Sequence, residues 1–298
     1  MTDAFSSSWD SDKINEGQWE ETAQGIDEYI EVGNSLWALI DIKDVSIPDG
    51  IAFLDGIVRL DSEIFYKENK ARLRLFSLAS GICEMRPNIY NSFEAFKSIK
   101  TKKIAIPDKE IPKNQIIVKD AKYDLVAKDQ DHLVLLKQLE YESLMDYTKN
   151  ASAEIIIWDG SLPITFSGLD NKLVFGFIKS HRKYFVSPKN LELLYEIRAF
   201  QRTPIIHYTS QDQKNFYYTW YTTLNNDITG LVRIETLANM DIEKTSSLAN
   251  VICVILRKFA SSPLYEERAP QNLAPISALE SYLRAYLGYY FFDAPMFA

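Results

Sequence analysis

Two aspartates in the sequence each follow an apolar run and precede a glycine. Asp159 follows Ile-Ile-Ile-Trp at residues 155–158, and Asp55 follows Ile-Ala-Phe-Leu at residues 51–54. Runs of this composition predict buried strands, each with a carboxylate at its end. A carboxylate there is costly to desolvate, and two such acids can share a hard divalent cation. The pair therefore indicates a metal site, unless Asp-Gly simply begins a turn after each strand.

A third carboxylate comes from a helix predicted over residues 131–149. On a helical projection, Glu142 falls near the middle of the apolar arc and Glu140 falls on the opposite side. Glu142 is therefore predicted to face the sheet, although an edge glutamate that extends into solvent would fit the same pattern. One acid on an early strand, one on a helix and one on the next strand is the arrangement of a ribonuclease H-like two-metal site.

The elements that must position these acids alternate between strands and helices along the chain. Residues 57–66 and 72–79 alternate between apolar and polar types, which predicts an antiparallel meander with the strand that carries Asp55. Other strands are predicted at 173–179, 204–209, 215–224 and 230–237, and other helices within 22–45 and at 189–200, 241–260 and 275–287. Residues 86–130 are ambiguous. The predicted fold is α/β, a ribonuclease H-like mixed sheet flanked by helices, with inserted segments.

Composition sets the class of protein. The chain has 298 residues, is 46% hydrophobic and carries a net charge of −8. It can therefore build a full core, and it should not coat nucleic acid through its overall field. We expect a polar, flexible tail at residues 1–20 and a single domain at 21–298. The two cysteines are far apart and no signal peptide or membrane span is evident, so we expect a cytoplasmic protein.

Four segments, in order, resemble the NurA nucleases, particularly a bacterial branch of that family. They are IAFLDGIVR at residues 51–59, IIIWDGSL at 155–162 with Glu142 before it, GFIKSHR at 176–182 and RAPQNLAPISALE at 268–280. The resemblance implies a ribonuclease H-like nuclease that cleaves DNA with Mn²⁺ or Mg²⁺, commonly as a dimer. It also implies cooperation with a HerA-type hexameric translocase in DNA end processing and double-strand break repair.

The same resemblance assigns roles to residues of this chain. It places Asp55, Glu142 and Asp159 on metal-binding acids, and Lys179 on a basic position that suits a phosphate contact. Arg182 follows in the same segment as a further candidate for substrate binding.

The chain departs from the family near its C-terminal end. Archaeal members carry a histidine ligand there, and no histidine of this chain lies at that position. Glu280 is the nearest chemical substitute, although it could equally be a solvated helix residue. The family's active-site tyrosine could correspond to Tyr217, Tyr218 or Tyr221.

The predicted reaction is phosphodiester hydrolysis by a water that divalent metals activate, with Lys179 on the scissile phosphate. Two other functions fit the sequence. One is a non-catalytic scaffold of the same fold that binds the hexameric translocase. The other is a metal-dependent phosphoesterase that acts on RNA or a nucleotide. The sequence has no glycine-rich phosphate loop, so ATP hydrolysis by this chain is not expected.

Overall fold

The computed structural model describes residues 25–43, 45–86, 93–112, 114–128, 130–163, 173–181, 183–210, 215–226, 228–262 and 270–288. The predicted tail at residues 1–20 and Arg182 lie outside these ranges. Among the described residues, no helix combines the length and the apolar character that a membrane span requires.

Twelve strands in the described ranges form one mixed sheet, and helices pack on it. In chain order the strands are β1 (Ile40–Asp41), β2 (Ile51–Phe65), β3 (Arg72–Met85), β4 (Phe96–Pro107), β5 (Gln115–Val118), β6 (Ala121–Leu125), β7 (Ile155–Asp159), β8 (Leu173–Ile178), β9 (Gln201–Arg202), β10 (Ile206–Thr209), β11 (Phe216–Thr223) and β12 (Leu231–Leu237). The helices are α1 (His132–Thr148), α2 (Pro188–Glu196), α3 (Ile242–Phe259) and α4 (Ala274–Leu287). The predicted mixed α/β sheet with flanking helices is confirmed.

The centre of the sheet runs in the order β4-β3-β2-β7-β8. β2, β3 and β4 form an antiparallel meander, whereas β7 is parallel to β2 and β8 is parallel to β7. The parallel register pairs Ile51 with Ile155 and Leu54 with Trp158. The two predicted acidic positions therefore lie at matching levels on neighbouring strands.

Side-chain alternation gives the two faces of the sheet different partners. Phe53 and Ile57 of β2 share one core cluster with Leu279 of α4, whereas Ala52 and Leu54 share another with Leu144 of α1. Residues two apart on a strand lie on the same face. Asp55 therefore lies on the face that α4 covers, together with its neighbours at positions 53 and 57.

Two predictions about the first part of the chain are wrong. The described residues of the predicted 22–45 helix form turns and the short strand β1, and glycines with φ of +72° and +57°, Gly25 and Gly33, break the helical pattern. The strand that carries Asp55 does not end there, because β2 continues to Phe65 and Gly56 pairs with Ser80. Asp55-Gly56 is therefore part of a strand and not a turn.

Candidate metal centre

Three carboxylates from distant parts of the chain converge on the α4 face of the sheet. They belong to Asp55 in the middle of β2, Asp159 at the end of β7 and Glu280 on α4, and one oxygen from each lies within 4.8 Å of the others. Asp55 is buried, and the other two are partly exposed. The group is therefore recessed but open to solvent on one side.

Packing of α4 brings Glu280 to the two aspartates. Ile276, Leu279 and Leu283 are all fully buried in the core cluster that includes Phe53 and Ile57 of β2. Because residues three and four apart share one face of a helix, these apolar side chains seat α4 on the sheet and fix its rotation. Glu280 follows Leu279 directly and reaches the acids from the margin of that apolar face. A hydrogen bond of 3.1 Å from Arg284 steadies its carboxylate.

The surroundings of Asp55 disfavour the charged form of its carboxyl group. The pKa of Asp55 is raised well above its ordinary value, first because the carboxyl is buried and then because Asp159, Glu140 and Glu280 repel its negative charge. The backbone N–H of Gly56 opposes this shift of the pKa. A bound cation would relieve both the burial cost and the repulsion.

Lys179 brings a positive charge to the aspartate at the end of β7. Lys179, just after β8, donates to Asp159 Oδ2 at 2.6 Å, and its Nζ lies 3.5 Å from the side-chain oxygen of Asn272. Asn272 in turn donates to Ser277 in the first turn of α4 at 2.7 Å. Lys179 is therefore held between the acidic strand β7 and the segment that leads into α4.

The structure corrects the prediction for α1. Glu142 is exposed, whereas Glu140 is 1% exposed and lies on the face that packs against the sheet. The buried positions of this helix are Leu135, Leu136, Leu139, Glu140, Ser143, Leu144 and Tyr147. This stripe contains two polar residues, and Val134, which the projection placed in the apolar arc, is half exposed. The apolar pattern therefore pointed to the wrong side of the helix.

Glu140 approaches β2 and β7 from the face opposite the three converging acids. Its Oε2 accepts hydrogen bonds from Lys137 Nζ and from Trp158 Nε1, both at 2.6 Å. A Cβ at Gly56 would lie 2.9 Å from Glu140 Oε1 and 2.8 Å from the Leu136 side chain, so any larger residue at this position would displace one of these side chains. Burial raises the pKa of Glu140, and Lys137 opposes that effect.

The remaining predicted residues occupy different places. Arg182 is outside the described residues. Tyr217 is buried and stacks on Tyr208, and the Tyr221 hydroxyl accepts a hydrogen bond from the backbone of Phe185 at 2.9 Å. Tyr218 packs edge-on against His207.

Sequence reasoning missed Glu140, Lys137 and Asn272. One signal was available for Glu140. A glycine inside a strand often marks a close approach by another group, and Gly56 lies directly beside Asp55. The acid that packs against Gly56 was therefore the better candidate, and this acid is Glu140. The helical projection favoured Glu142 instead.

Comparison with known proteins gives matches among solved structures. Neither a protein-family model nor a curated protein sequence matches the chain. Among solved structures, the chain is similar to the crystal structure of the NurA nuclease from Sulfolobus solfataricus, with 15% identity and a TM-score of 0.45 over 83% of this chain and 81% of that one. A similarity of this size does not establish a shared activity.

Proposed function

We propose that this chain is a divalent-metal-dependent deoxyribonuclease that hydrolyses phosphodiester bonds at the centre formed by Asp55, Asp159 and Glu280. The observation that carries the proposal is the convergence of three carboxylates within 4.8 Å around a buried Asp55 whose pKa is raised. Strongly perturbed acids in a recess are typical of functional sites.

The donor set fits a hard divalent cation. Asp55, Asp159 and Glu280 offer only oxygen ligands, which suit Mg²⁺ or Mn²⁺ better than softer metals. Glu140 is not in this donor set: it lies on the opposite face of the sheet, where its carboxylate accepts hydrogen bonds from Lys137 and Trp158. When bound, the cation supplies positive charge for the phosphate oxygens and lowers the pKa of a water that attacks phosphorus.

The side chains around the acids have separate tasks in this proposal. Lys179 is a primary amine fixed by Asp159, and it can contact a phosphate oxygen of the substrate with a donor that Asp159 does not use. The burial of Asp55 keeps its carboxylate in one orientation. The exposed sides of Asp159 and Glu280 leave the path by which a phosphodiester enters.

The arrangement of the sheet supports a ribonuclease H-like assignment. An antiparallel meander, β2 to β4, is followed by α1 and by two strands parallel to β2, and acids lie on the first strand, on the helix and on β7. The four sequence segments that resemble NurA nucleases include Asp55, Asp159, Lys179 and Glu280. Glu140 lies two residues before the acid that the resemblance selected.

Partners and cellular role are also part of the proposal. A net charge of −8 gives the chain little general attraction for DNA. A HerA-type hexameric translocase would deliver DNA ends to it, and the chain would act as a homodimer in double-strand break repair. The two cysteines, Cys83 and Cys253, are free and buried, which suits the cytoplasm.

The test compares substrates, metals and one variant. Purified protein is incubated with linear duplex DNA, single-stranded DNA and RNA in Mn²⁺, in Mg²⁺ and in EDTA. The proposal predicts metal-dependent cleavage of DNA and at least a 100-fold loss in Asp55→Asn. Cleavage of RNA alone would favour the phosphoesterase alternative. Metal-independent activity, or full activity in Asp55→Asn, would discard the proposed centre.

A scaffold without catalytic activity is separated by metal binding. A metal at 100 times its dissociation constant stabilises the folded state by about 2.7 kcal/mol, which a thermal melt detects. A scaffold would show no such shift with Mn²⁺, even if it bound the translocase.

A further inference from the structure

Lys137 of α1 contacts the end of β7 on the opposite face from the three converging acids. Its Nζ lies 2.6 Å from Glu140 Oε2 and 3.1 Å from the backbone oxygen of Asp159. The same Nζ lies 5.4 Å from the centre of the Trp158 ring. One ammonium group therefore joins a buried acid of the helix to the main chain of a residue in the proposed centre.

The direction of this contact determines what it can do. Successive side chains of a strand point to opposite faces, so Trp158 points toward α1 and Asp159 points toward α4. A donor that holds the backbone oxygen of Asp159 from the α1 side limits how the end of β7 can rotate. The carboxylate of Asp159, on the α4 face of the sheet, is then held beside that of Asp55.

Two glycines shape the chain where the lysine makes this contact. Gly160 has a φ of +102°, and a Cβ there would lie 3.2 Å from Lys137 Nζ. Its N–H donates to the Phe177 backbone oxygen at 2.8 Å, and a Cβ at Gly176 would lie 2.9 Å from the Gly160 oxygen. The turn after Asp159 is therefore fixed from β8 on one side and from Lys137 on the other.

We propose that Lys137 is a positioning residue that holds Asp159 in the geometry needed to bind a divalent cation. The inference rests on the proposed function, because it concerns the same acids. It gives α1 a role in positioning a ligand of the proposed metal centre. Lys137 acts through the main chain of Asp159 and does not itself touch the metal or the substrate.

A purely electrostatic role makes the opposite prediction. A lysine near a cluster of acids repels an incoming cation, so removing its charge should tighten metal binding. A positioning role predicts weaker binding, because Asp159 loses its fixed orientation. A role in folding stability alone predicts a lower melting temperature with an unchanged metal dissociation constant.

The experiment measures Mn²⁺ binding to the full chain by isothermal titration calorimetry. Lys137→Met removes the donor and keeps most of the side-chain length. Lys149→Met is the matched control, since Lys149 lies at the C-terminal end of α1 and its side chain is 71% exposed. Circular dichroism confirms that each variant is folded.

We expect the Mn²⁺ dissociation constant to rise at least 10-fold in Lys137→Met and to stay within twofold in Lys149→Met. An unchanged or lower dissociation constant in folded Lys137→Met would overturn the positioning role. If the unsubstituted chain does not bind Mn²⁺, the proposed function itself fails and this inference fails with it. Measuring the unsubstituted chain first therefore separates the two failures.

Discussion

Two groups of buried charge in this protein are built in opposite ways. Around Arg202, which is fully buried, each N–H of the guanidinium has an acceptor: both oxygens of Glu31, the Thr203 carbonyl, and the side chains of Ser246 and Asn250. The acidic centre instead collects Asp55, Asp159 and Glu280, with Lys179 paired to Asp159 and Arg284 paired to Glu280. In the first group, every hydrogen-bond donor of Arg202 has an acceptor within the chain and its charge is balanced by Glu31. The second group has an excess of negative charge.

The pKa shifts of the buried acids Glu31 and Asp55 reflect this difference in charge between the two groups. Burial would raise the pKa of Glu31, but the hydrogen bonds and charge of Arg202 outweigh it and hold that pKa below its ordinary value. Within the described residues, no cation forms an ion pair with Asp55, whose pKa is raised. The buried carboxylate of Glu31 is therefore neutralised by a cation of the chain, whereas that of Asp55 is not. A buried acid without a paired cation, beside two further acids, indicates a ligand from outside the chain.

The largest effect is expected from a substitution in the group around Arg202. Arg202→Met leaves Glu31 without its cation, and removing one partner of a buried pair costs about 3–5 kcal/mol. We expect urea unfolding to show a loss of this size. The double variant Arg202→Met/Glu31→Gln should recover part of it, since no unpaired charge remains. Equal stability of the single variant and the unsubstituted chain would contradict this description of the group.

A smaller effect separates the two glutamates of α1. Glu140→Gln removes the buried charge that faces the strands of the centre, and we expect nuclease activity to fall about 10- to 100-fold, which corresponds to about 1.4–2.7 kcal/mol. Glu142→Gln, two residues away and exposed, is the matched control and should stay within twofold. The reverse result would restore the helix face that the sequence predicted.

Asp55→Asn should stabilise the metal-free protein. The substitution keeps the shape of the side chain and removes a charge that is buried and repelled by other acids. We expect a gain of about 1 kcal/mol in the free energy of unfolding at pH 7, or a rise of about 2–4 °C in melting temperature. A lower melting temperature in EDTA would mean that the Asp55 charge is already compensated.

The pH dependence should have opposite signs in the two groups. The raised pKa of Asp55 makes its contribution to stability fully present below the unfolded pKa and lost as pH rises through the folded pKa. The lowered pKa of Glu31 makes its contribution present above the unfolded pKa, near 4.3, and lost as pH falls through the folded pKa. In melts without metal, the advantage of Asp55→Asn should therefore shrink as pH falls. An advantage that is constant with pH would exclude the charge as its cause.

Much of the fold was predictable because its signals are local. The predicted helix at 131–149 corresponds to α1. The predicted helix at 241–260 corresponds to α3, whose apolar and polar residues repeat with helical spacing. The strands β8, β11 and β12 were predicted within a few residues, because they are runs rich in apolar, β-branched and aromatic residues. Residues 86–130 carried no clear period, and the structure forms β4, β5 and β6 there.

The candidate site was predictable only in part. Asp55 and Asp159 follow apolar runs, so their positions could be read from the sequence. The helical projection alone favoured Glu142 over Glu140, because the sheet-facing stripe of α1 also contains the polar residue Ser143. The contacts of Lys179 with Asp159 and Asn272 depend on how β7, β8 and the segment before α4 meet, which no local pattern describes.

The most direct test of the central claim is calorimetric titration of Mn²⁺ into the unsubstituted chain, Asp55→Asn and Glu142→Gln. We expect the unsubstituted chain and Glu142→Gln to bind Mn²⁺, and Asp55→Asn to bind it with at least 100-fold weaker affinity. Absence of binding to the unsubstituted chain, or equal binding by Asp55→Asn, would show that the converging acids do not form a metal centre.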